Sequence, residues 1–495
     1  GVYCDAGWLE EAPRQLALAD AVPGTPPVLS TPDQTSPRTG QGAGGRVSAA
    51  EPGAVTDQPS GLGEVGPFNG IQSWFVDYMK RNSVRAGQLA IAYEGRLVYA
   101  LAATWSQPDY PLVLNTTRMR WGSVSKTITS MAALLSAEQQ GIDIFDPATA
   151  NMASLLWQDS SFDDAGWSNT TLAGFLCHVN GLKSDEVVGE LYNQQLIAEA
   201  LGLTAAELDG QGLRREHLVE YTRRLKSYAE AVGAFDATAL AVAEDVFLPG
   251  GALITGVPLP GSPLPETMYS NLAYERIGDV VGVVGCEVAD DYEDWVRLIL
   301  FGALGIARAQ ATLNHAGEAV QASRDGHEVR YHSGRPRLSL SSFAWEQTPD
   351  GPRQLGVGPI AYDASNFRLG IASGAWSFAA ADYLRLLTAV AEGQTALSAT
   401  AVDYLLARRF ADQRTLGFYT TAANLRQIAW HNGLFDGTHA LAYYRDDGVA
   451  VAMSVNCDPL EGLTELALGV IDTTLTDPST WPGHDLFPTV IPVPP

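Results

Sequence analysis

Basic residues are scarce in this chain. Lys and Arg total 31 against 56 Asp and Glu in 495 residues, a net charge of −25 with an isoelectric point near 4.6. Such a surface repels phosphate backbones and anionic membranes, which argues against nucleic-acid binding. The same acidity suits solubility in a salty or extracellular medium as well as a preference for cationic partners. Long hydrophobic runs are also missing, and nothing approaches the roughly 18 apolar residues of a transmembrane helix. Cysteine is sparse. Of the four, Cys4 lies in a polar stretch, Cys177 and Cys286 in apolar ones, and Cys457 follows a strand-like run, so buried free thiols are the default. No Cys-x-x-Cys, His-Glu-x-x-His or Cys/His cluster suggests a metal site. No internal repeat is visible. The chain starts at Gly1 without Met, which leads us to expect a processed terminus and a secreted or periplasmic protein; a cloning choice gives the same start.

What is present is ample apolar material, 46% of the residues, enough for a large core in two lobes. Residues 1–66 hold eight of the 28 prolines and read as a Pro/Gly-rich arm. Within them Gly61-Leu-Gly-Glu-Val-Gly66 matches a dinucleotide fingerprint only literally, since no strand precedes it. The stretch 477–495, with six prolines, reads as a second extended segment. Between the two, 87–104 and 438–456 read as hairpins, the latter turning at Asp446-Asp447-Gly448. Strands at 415–420 and 426–431 join them in one antiparallel sheet made from both chain ends, covered by helices at 68–81 and 459–475. A sheet lobe thus takes 67–122 and 351–476, and a mainly helical lobe takes 123–350. Leu218, Tyr221, Leu225 and Tyr228 repeat at helical spacing within 183–265.

Ser123-Val-Ser-Lys126 opens a helix-forming apolar stretch. Residues three apart share a helix face, so Lys126 falls one turn from the Ser123 hydroxyl. A helix start offers unsatisfied N–H groups and partial positive charge to an oxyanion. Enclosure by Ile128, Met131, Ala132 and Leu134 lowers a lysine's hold on its proton, so it can take the serine's. Alone the spacing is common, and an N-cap with a solvated lysine satisfies it equally. Two further patches add weight: Tyr269-Ser270-Asn271, 146 residues after Ser123, and His431-Asn432-Gly433, 162 residues after Tyr269.

The order Ser-x-x-Lys, Tyr-x-Asn, then a basic residue-x-Gly resembles the penicillin-recognising serine hydrolases. These include class C β-lactamases, D,D-peptidases, D-aminopeptidases and β-lactamase-like carboxylesterases. Residues 68–79 resemble the family's opening helix and 88–99 its first hairpin. Residues 176–182, with His178 read as a packed structural histidine, and 373–383 are similar to further family segments. The similarity runs over 67–476, broken by an insertion at 183–265. It implies a mixed α/β (α+β) fold of the β-lactamase/transpeptidase type, an antiparallel sheet flanked by helices plus a mainly helical lobe. The insertion reads equally as an ornament, a cap on the cleft or a subunit contact.

Carried over residue by residue, the resemblance implies that Ser123 is the acylated nucleophile. Lys126 and Tyr269 share the base role, a tyrosinate being favoured only beside cations. Asn271 binds the acyl-side amide and orients Lys126, and the N–H groups of Ser123 and Leu434 form the oxyanion hole beside Gly433. No metal or organic cofactor is required. His431 stands where many β-lactamases have Lys, and Asn432 where Thr or Ser is common. A histidine of ordinary pKa near 6.5 is a weaker anchor for a substrate carboxylate at neutral pH, although the chain's negative charge acts to raise it somewhat. Histidine-x-Gly is known among the peptidase and aminopeptidase members of that family, while several esterase members carry a different residue there. The resemblance therefore favours a peptidase or amidase of the D-aminopeptidase or D,D-peptidase type on a small-molecule or peptide substrate. A carboxylesterase or acyltransferase, or a β-lactamase, is the alternative. A non-catalytic sensor is expected to lose Lys126 or Tyr269, and both are present. Ser125, Trp121, Trp376 and Phe435 are expected to line the cleft. The natural substrate and the oligomeric state are left open.

Overall fold

The structure, a computed structural model, describes residues 37–39, 68–105, 113–150, 155, 171–179, 194–210, 212–224, 267, 269–285, 289, 291–312, 327–333, 338–340, 343–349, 351–355, 357–359, 366–367, 369–423, 426–458 and 462–491. Cys4, Cys286, residues 225–265 of the insertion and the arm apart from 37–39 lie outside the described residues.

A seven-stranded antiparallel sheet carries the molecule. Its strands are β1 (Pro37–Thr39), β2 (Ala86–Tyr93), β3 (Arg96–Trp105), β7 (Tyr419–Ala423), β8 (Arg426–Phe435), β9 (Thr438–Arg445) and β10 (Val449–Val455). They lie in the order β1-β3-β2-β10-β9-β8-β7, so the two chain ends meet where β2 pairs with β10. Period-2 alternation in β10 divides the faces. Val449, Val451, Met453 and Val455 face one cluster, Ala450 and Ala452 the other. Helix α1 (Asn69–Arg81) buries Ile71, Phe75, Tyr78 and Met79, one stripe at helical spacing. Helix α8 (Leu463–Thr474) buries Leu463, Ala467 and Ile471 beside them. Gly87 lets the first contact form, since a Cβ there would stand 2.8 Å from Phe75 Cζ. On the other face Ala90, Ala92, Ala100, Ala440, Ala442, Ala450 and Ala452 are all small. Helix α7 (Ala380–Ala391) packs there with Leu384 and Leu387.

Helix α2 (Ser125–Gln140) is buried from Ser125 to Ala137 and ends at Gly141 in the left-handed region, φ +66. Around it stand α3 (Leu172–Leu176) and α6 (Asn271–Val284), both in the same core. A small sheet sets β6 (Trp376–Phe378) between β4 (Met119–Arg120) and β5 (Gln310–Ala311), beside the start of α2. The described part of the insertion forms α4 (Gln194–Leu201), a turn at Ala205–Leu208 and α5 (Arg215–Arg224). Ile197, Leu208, Leu213 and Leu218 cluster there with Leu272 of α6. Leu218 thus lies on a helix as its spacing suggested, whereas Leu225 and Tyr228 fall outside the described residues.

Three readings change. The strand expected at 415–420 begins at Tyr419 and ends at Ala423. Residues 410–418 fold into a tight loop instead, with Phe410 N–H on Arg414 O (2.8 Å) and Thr415 N–H on Phe418 O (2.9 Å). Gln413 and Gly417 take positive φ there, +49 and +131. After residue 310, short strands at Gln310–Ala311, His332–Ser333, Leu338–Leu340 and Trp345–Thr348 replace the helical pattern. Residues 477–491 are extended only in part, since they turn at Pro478–Thr480 and Phe487–Val490 and bury Leu486, Phe487, Val490 and Ile491 in the core. The apolar residues between the prolines outweigh the prolines' own preference for open chain.

Candidate active site

Ser123 sits in a 3-10 turn, Gly122–Val124, directly before α2, one turn earlier than a simple helix start. Gly122 has φ +54, a conformation that favours glycine. Lys126, in the first turn of α2, is fully buried, and its Nζ lies 3.0 Å from Ser123 Oγ. It also donates to Asn271 Oδ1 at 2.5 Å and to the Ser373 carbonyl at 2.6 Å. Ser270 caps α6, its Oγ accepting the Ala273 N–H at 3.2 Å. That cap leaves Tyr269 just ahead of the helix and Asn271 on its first turn. Tyr269 donates its hydroxyl to Ser123 Oγ at 2.6 Å. Ser123 Oγ therefore lies between the amine and the phenol, as the motif order implied.

The last motif lies on β8. A Cβ at Gly433 would stand 1.9 Å from Trp121 O and 3.0 Å from Ser123 N, and one at Gly122 would stand 2.9 Å from Leu434 N. Two glycines thus let β8 lie against the serine turn, with the backbone nitrogens of Ser123 and Leu434 both at that contact, while Leu434 is 52% exposed. His431 is buried, its Nδ1 2.6 Å from the Asn432 carbonyl and its Nε2 without a hydrogen-bond partner among the described residues. Its pKa is pushed well below the ordinary value by burial first, then by Arg414 and Lys126. The expected upward pull of the net charge is overturned, because desolvation and two nearby cations set the local balance.

Arg414 is the residue that the motifs missed. It is 4% exposed, its Cζ lies 3.5 Å from the Tyr419 ring centroid and 5.4 Å from that of Tyr269, and its Nε has no hydrogen-bond partner among the described residues. Lys126 Nζ lies 4.8 Å from the same Tyr269 ring. Arg414 belongs to no motif, and the one signal in the sequence was a basic residue shortly before His431 in a chain short of them. His178 stacks on Tyr269 at 4.5 Å, and its Nδ1 accepts the Ser270 N–H at 3.1 Å, so this packed histidine supports the second motif. Its pKa is also well lowered, by burial and then by Arg414.

The expected cleft aromatics are mostly core. Trp121 stacks on Phe378 at 4.9 Å and is buried, as is Trp376. Ser125 is buried too, its Oγ accepting the Trp376 N–H at 3.2 Å. The half-buried Phe435 meets Phe367 edge-on at 5.6 Å. Cys177 and Cys457 are free and buried, and burial pushes both thiols up to about 12. Among the described residues no group of three or more His, Cys, Asp or Glu is gathered for a metal ion, and no helix is long and apolar enough to cross a membrane.

This architecture is that of the β-lactamase/transpeptidase-like superfamily, whose members are generally serine hydrolases. The Beta-lactamase family model matches residues 71–473, and the chain belongs to that family. The fold is similar to that of D-amino acid amidase from Ochrobactrum anthropi SV3 (TM-score 0.52, 14% identity, covering 83% of this chain and 98% of that one). It is similar also to FmtA from Staphylococcus aureus (0.52, 14%, 86% and 95%). The octameric penicillin-binding protein homologue from Pyrococcus abyssi gives 0.51 at 15% identity, over 85% and 79% of the two chains. No curated protein matches the sequence significantly.

Proposed function

We propose that this protein is a serine hydrolase that works through an acyl-enzyme on Ser123, and that it is a peptidase or amidase of the D-aminopeptidase or D,D-peptidase type. The observation that carries the reading is Ser123 Oγ held 3.0 Å from Lys126 Nζ and 2.6 Å from Tyr269 Oη. With Asn271 Oδ1 and Ser373 O taking two of its donors, a neutral Lys126 amine turns its lone pair toward the Ser123 hydroxyl. Ser123 Oγ attacks the carbonyl carbon as its proton passes to this amine or to a Tyr269 phenolate. In the second route Lys126 keeps its proton, and it and Arg414 on the Tyr269 ring favour the phenolate electrostatically. The N–H groups of Ser123 and Leu434 receive the oxyanion. The C–N bond then breaks as the base returns the proton to the leaving amine, and a water releases the acyl group by the same path in reverse.

The amide preference is supported by the D-amino acid amidase among the structural neighbours, and a His431 held neutral in place of a permanent cation disfavours substrates that need a carboxylate anchor. The test is intact-mass measurement after a fluorophosphonate and, separately, a β-lactam, with turnover of D-aminoacyl p-nitroanilides against p-nitrophenyl esters. Ser123→Ala is expected to abolish the mass increment and lower turnover by several orders of magnitude while the circular dichroism spectrum is kept. Turnover at the wild-type level in that variant would remove Ser123 as the nucleophile, and turnover of the esters with none of the matching anilides in any acyl series would favour the carboxylesterase.

A further inference from the structure

Glu275 stands four residues after Asn271 on α6, between Tyr274 and Arg276, and has no exposed surface. Its Oε1 accepts the N–H of Ser373 at 2.6 Å. The carbonyl of the same Ser373 holds Lys126 Nζ. A buried carboxylate thus stands one residue behind the lysine that touches Ser123. Its Oε2 has no hydrogen-bond partner among the described residues. A carboxylate taken from water in this way needs a counter-charge.

The counter-charge comes from the insertion. Arg215, at the start of α5, sets Nη1 4.0 Å from Glu275 Oε2 and donates Nη2 to the Glu275 backbone carbonyl at 3.2 Å. It also pairs through Nε with Asp279, one turn further along α6. Gly278 leaves the room, since a Cβ there would lie 2.8 Å from Arg215 Nη2 and 2.5 Å from the Cβ of Ala372, the residue before Ser373. The charged and titratable groups around Glu275 are Arg215 from α5, Arg276 and Asp279 on its own helix, and Tyr292, over whose ring Arg215 Cζ lies at 5.7 Å. Those around Lys126 are Tyr269, Tyr274, His178, His431 and Arg414.

We infer that Arg215 and Glu275 are positioning residues: the insertion supplies the charge that keeps a carboxylate behind Ser373, and Ser373 in turn holds Lys126 on Ser123. The inference rests on the reading of Lys126 as a group that takes the serine proton. Burial raises the Glu275 pKa, and Arg215 is the largest influence opposing it. Without Arg215 the carboxyl takes up a proton at higher pH. The carbonyl of a carboxylic acid is a weaker acceptor than a carboxylate or an amide oxygen, so the Ser373 N–H is held less firmly and its carbonyl drifts from Lys126.

The experiment follows acylation of the full chain by a fluorophosphonate and by p-nitrophenyl acetate across pH. The wild type is compared with Arg215→Gln, Arg215→Lys, Glu275→Gln, Glu275→Leu and the Arg215→Gln/Glu275→Gln pair. Arg215→Gln is expected to lower kcat about tenfold or more, with KM little changed, and to move the acidic limb to higher pH; Arg215→Lys restores that limb in part. Glu275→Gln keeps the Oε1 acceptor and cannot titrate, so it retains most of the rate, and in the pair Arg215→Gln no longer moves the limb. Glu275→Leu loses the acceptor and the rate. An Arg215→Gln variant that melts earlier but acylates with wild-type kcat and limb overturns the inference, as does an equal limb shift in the pair. If Arg215→Gln does not fold, equal rates in Glu275→Gln and Glu275→Leu overturn it. A wild type that is never acylated on Ser123 fails the proposed function instead, a separate outcome.

Discussion

Lys126 meets three oxygen acceptors within 3.0 Å and no solvent. That enclosure makes its chemistry testable by a change that preserves charge. Arginine keeps a cation but has no accessible neutral form at any working pH. If the amine takes the serine proton, Lys126→Arg loses acylation as deeply as Lys126→Ala, by about a thousandfold or more. Stopped-flow acylation with a chromogenic ester measures it, and substantial retained rate in the Arg variant would make Lys126 a fixed charge and leave Tyr269 as the only base. At this scale the sequence was most legible where polar residues stand at fixed spacing: hydrogen bonds join Tyr269 and Lys126 to Ser123, and Asn271 to Lys126. It was silent on Arg414, Glu275 and the Ser373 carbonyl. Arg414 reaches Tyr269 from a loop, Glu275 acts through another residue's backbone, and a backbone carbonyl leaves no trace in residue identity.

Strand β8 and the serine turn form one mechanical unit, because Gly122 and Gly433 meet backbone to backbone. Adding one methyl at position 433 forces a shift, since its Cβ would stand 1.9 Å from Trp121 O. Gly433→Ala is expected to destabilise the protein by about 1–3 kcal/mol and to slow acylation by about a hundredfold or more as Leu434 N–H moves from the oxyanion. A melting curve and an acylation rate on the same sample check both, and a wild-type rate would show that this contact does not shape the oxyanion hole. Alternation made β2, β3, β8, β9 and β10 readable. The same signal misplaced the strand before β8. Residues 415–418 are apolar enough for a strand, but Gln413 and Gly417 at positive φ turn the chain back, and Thr415 spends its hydroxyl on Leu405 O and the Phe418 N–H. That tight loop carries Arg414 onto Tyr269, so the local irregularity and the missed residue have one cause.

Across the whole molecule the sheet closes through β2 and β10, from distant parts of the sequence, and the segment between its halves carries Ser123, Tyr269 and Asn271 to meet β8. The pairing was foreseeable because both hairpins alternate in the same period; the docking of 477–491 was not, because prolines mask its buried apolar residues. Charge acts at this scale too. Two buried basic side chains, Lys126 and Arg414, adjoin Tyr269, within a chain of net charge −25. At short range these side chains act on the reacting groups; at long range the acidic exterior is expected to bias which substrates gather at the cleft. Its reach is a Debye length, about 30 Å at 0.01 M salt and about 3 Å at 1 M. A D-amino acid p-nitroanilide with a free ammonium is therefore drawn in at low salt, a neutral N-acetylated analogue is indifferent, and an anionic penicillin is repelled. Raising salt over that range is expected to lower kcat/KM several-fold for the first, leave the second within a factor of about two, and raise any rate on the third. Identical salt dependence for the cationic and neutral anilides would mean that the net charge of this chain plays no part in selecting its substrate.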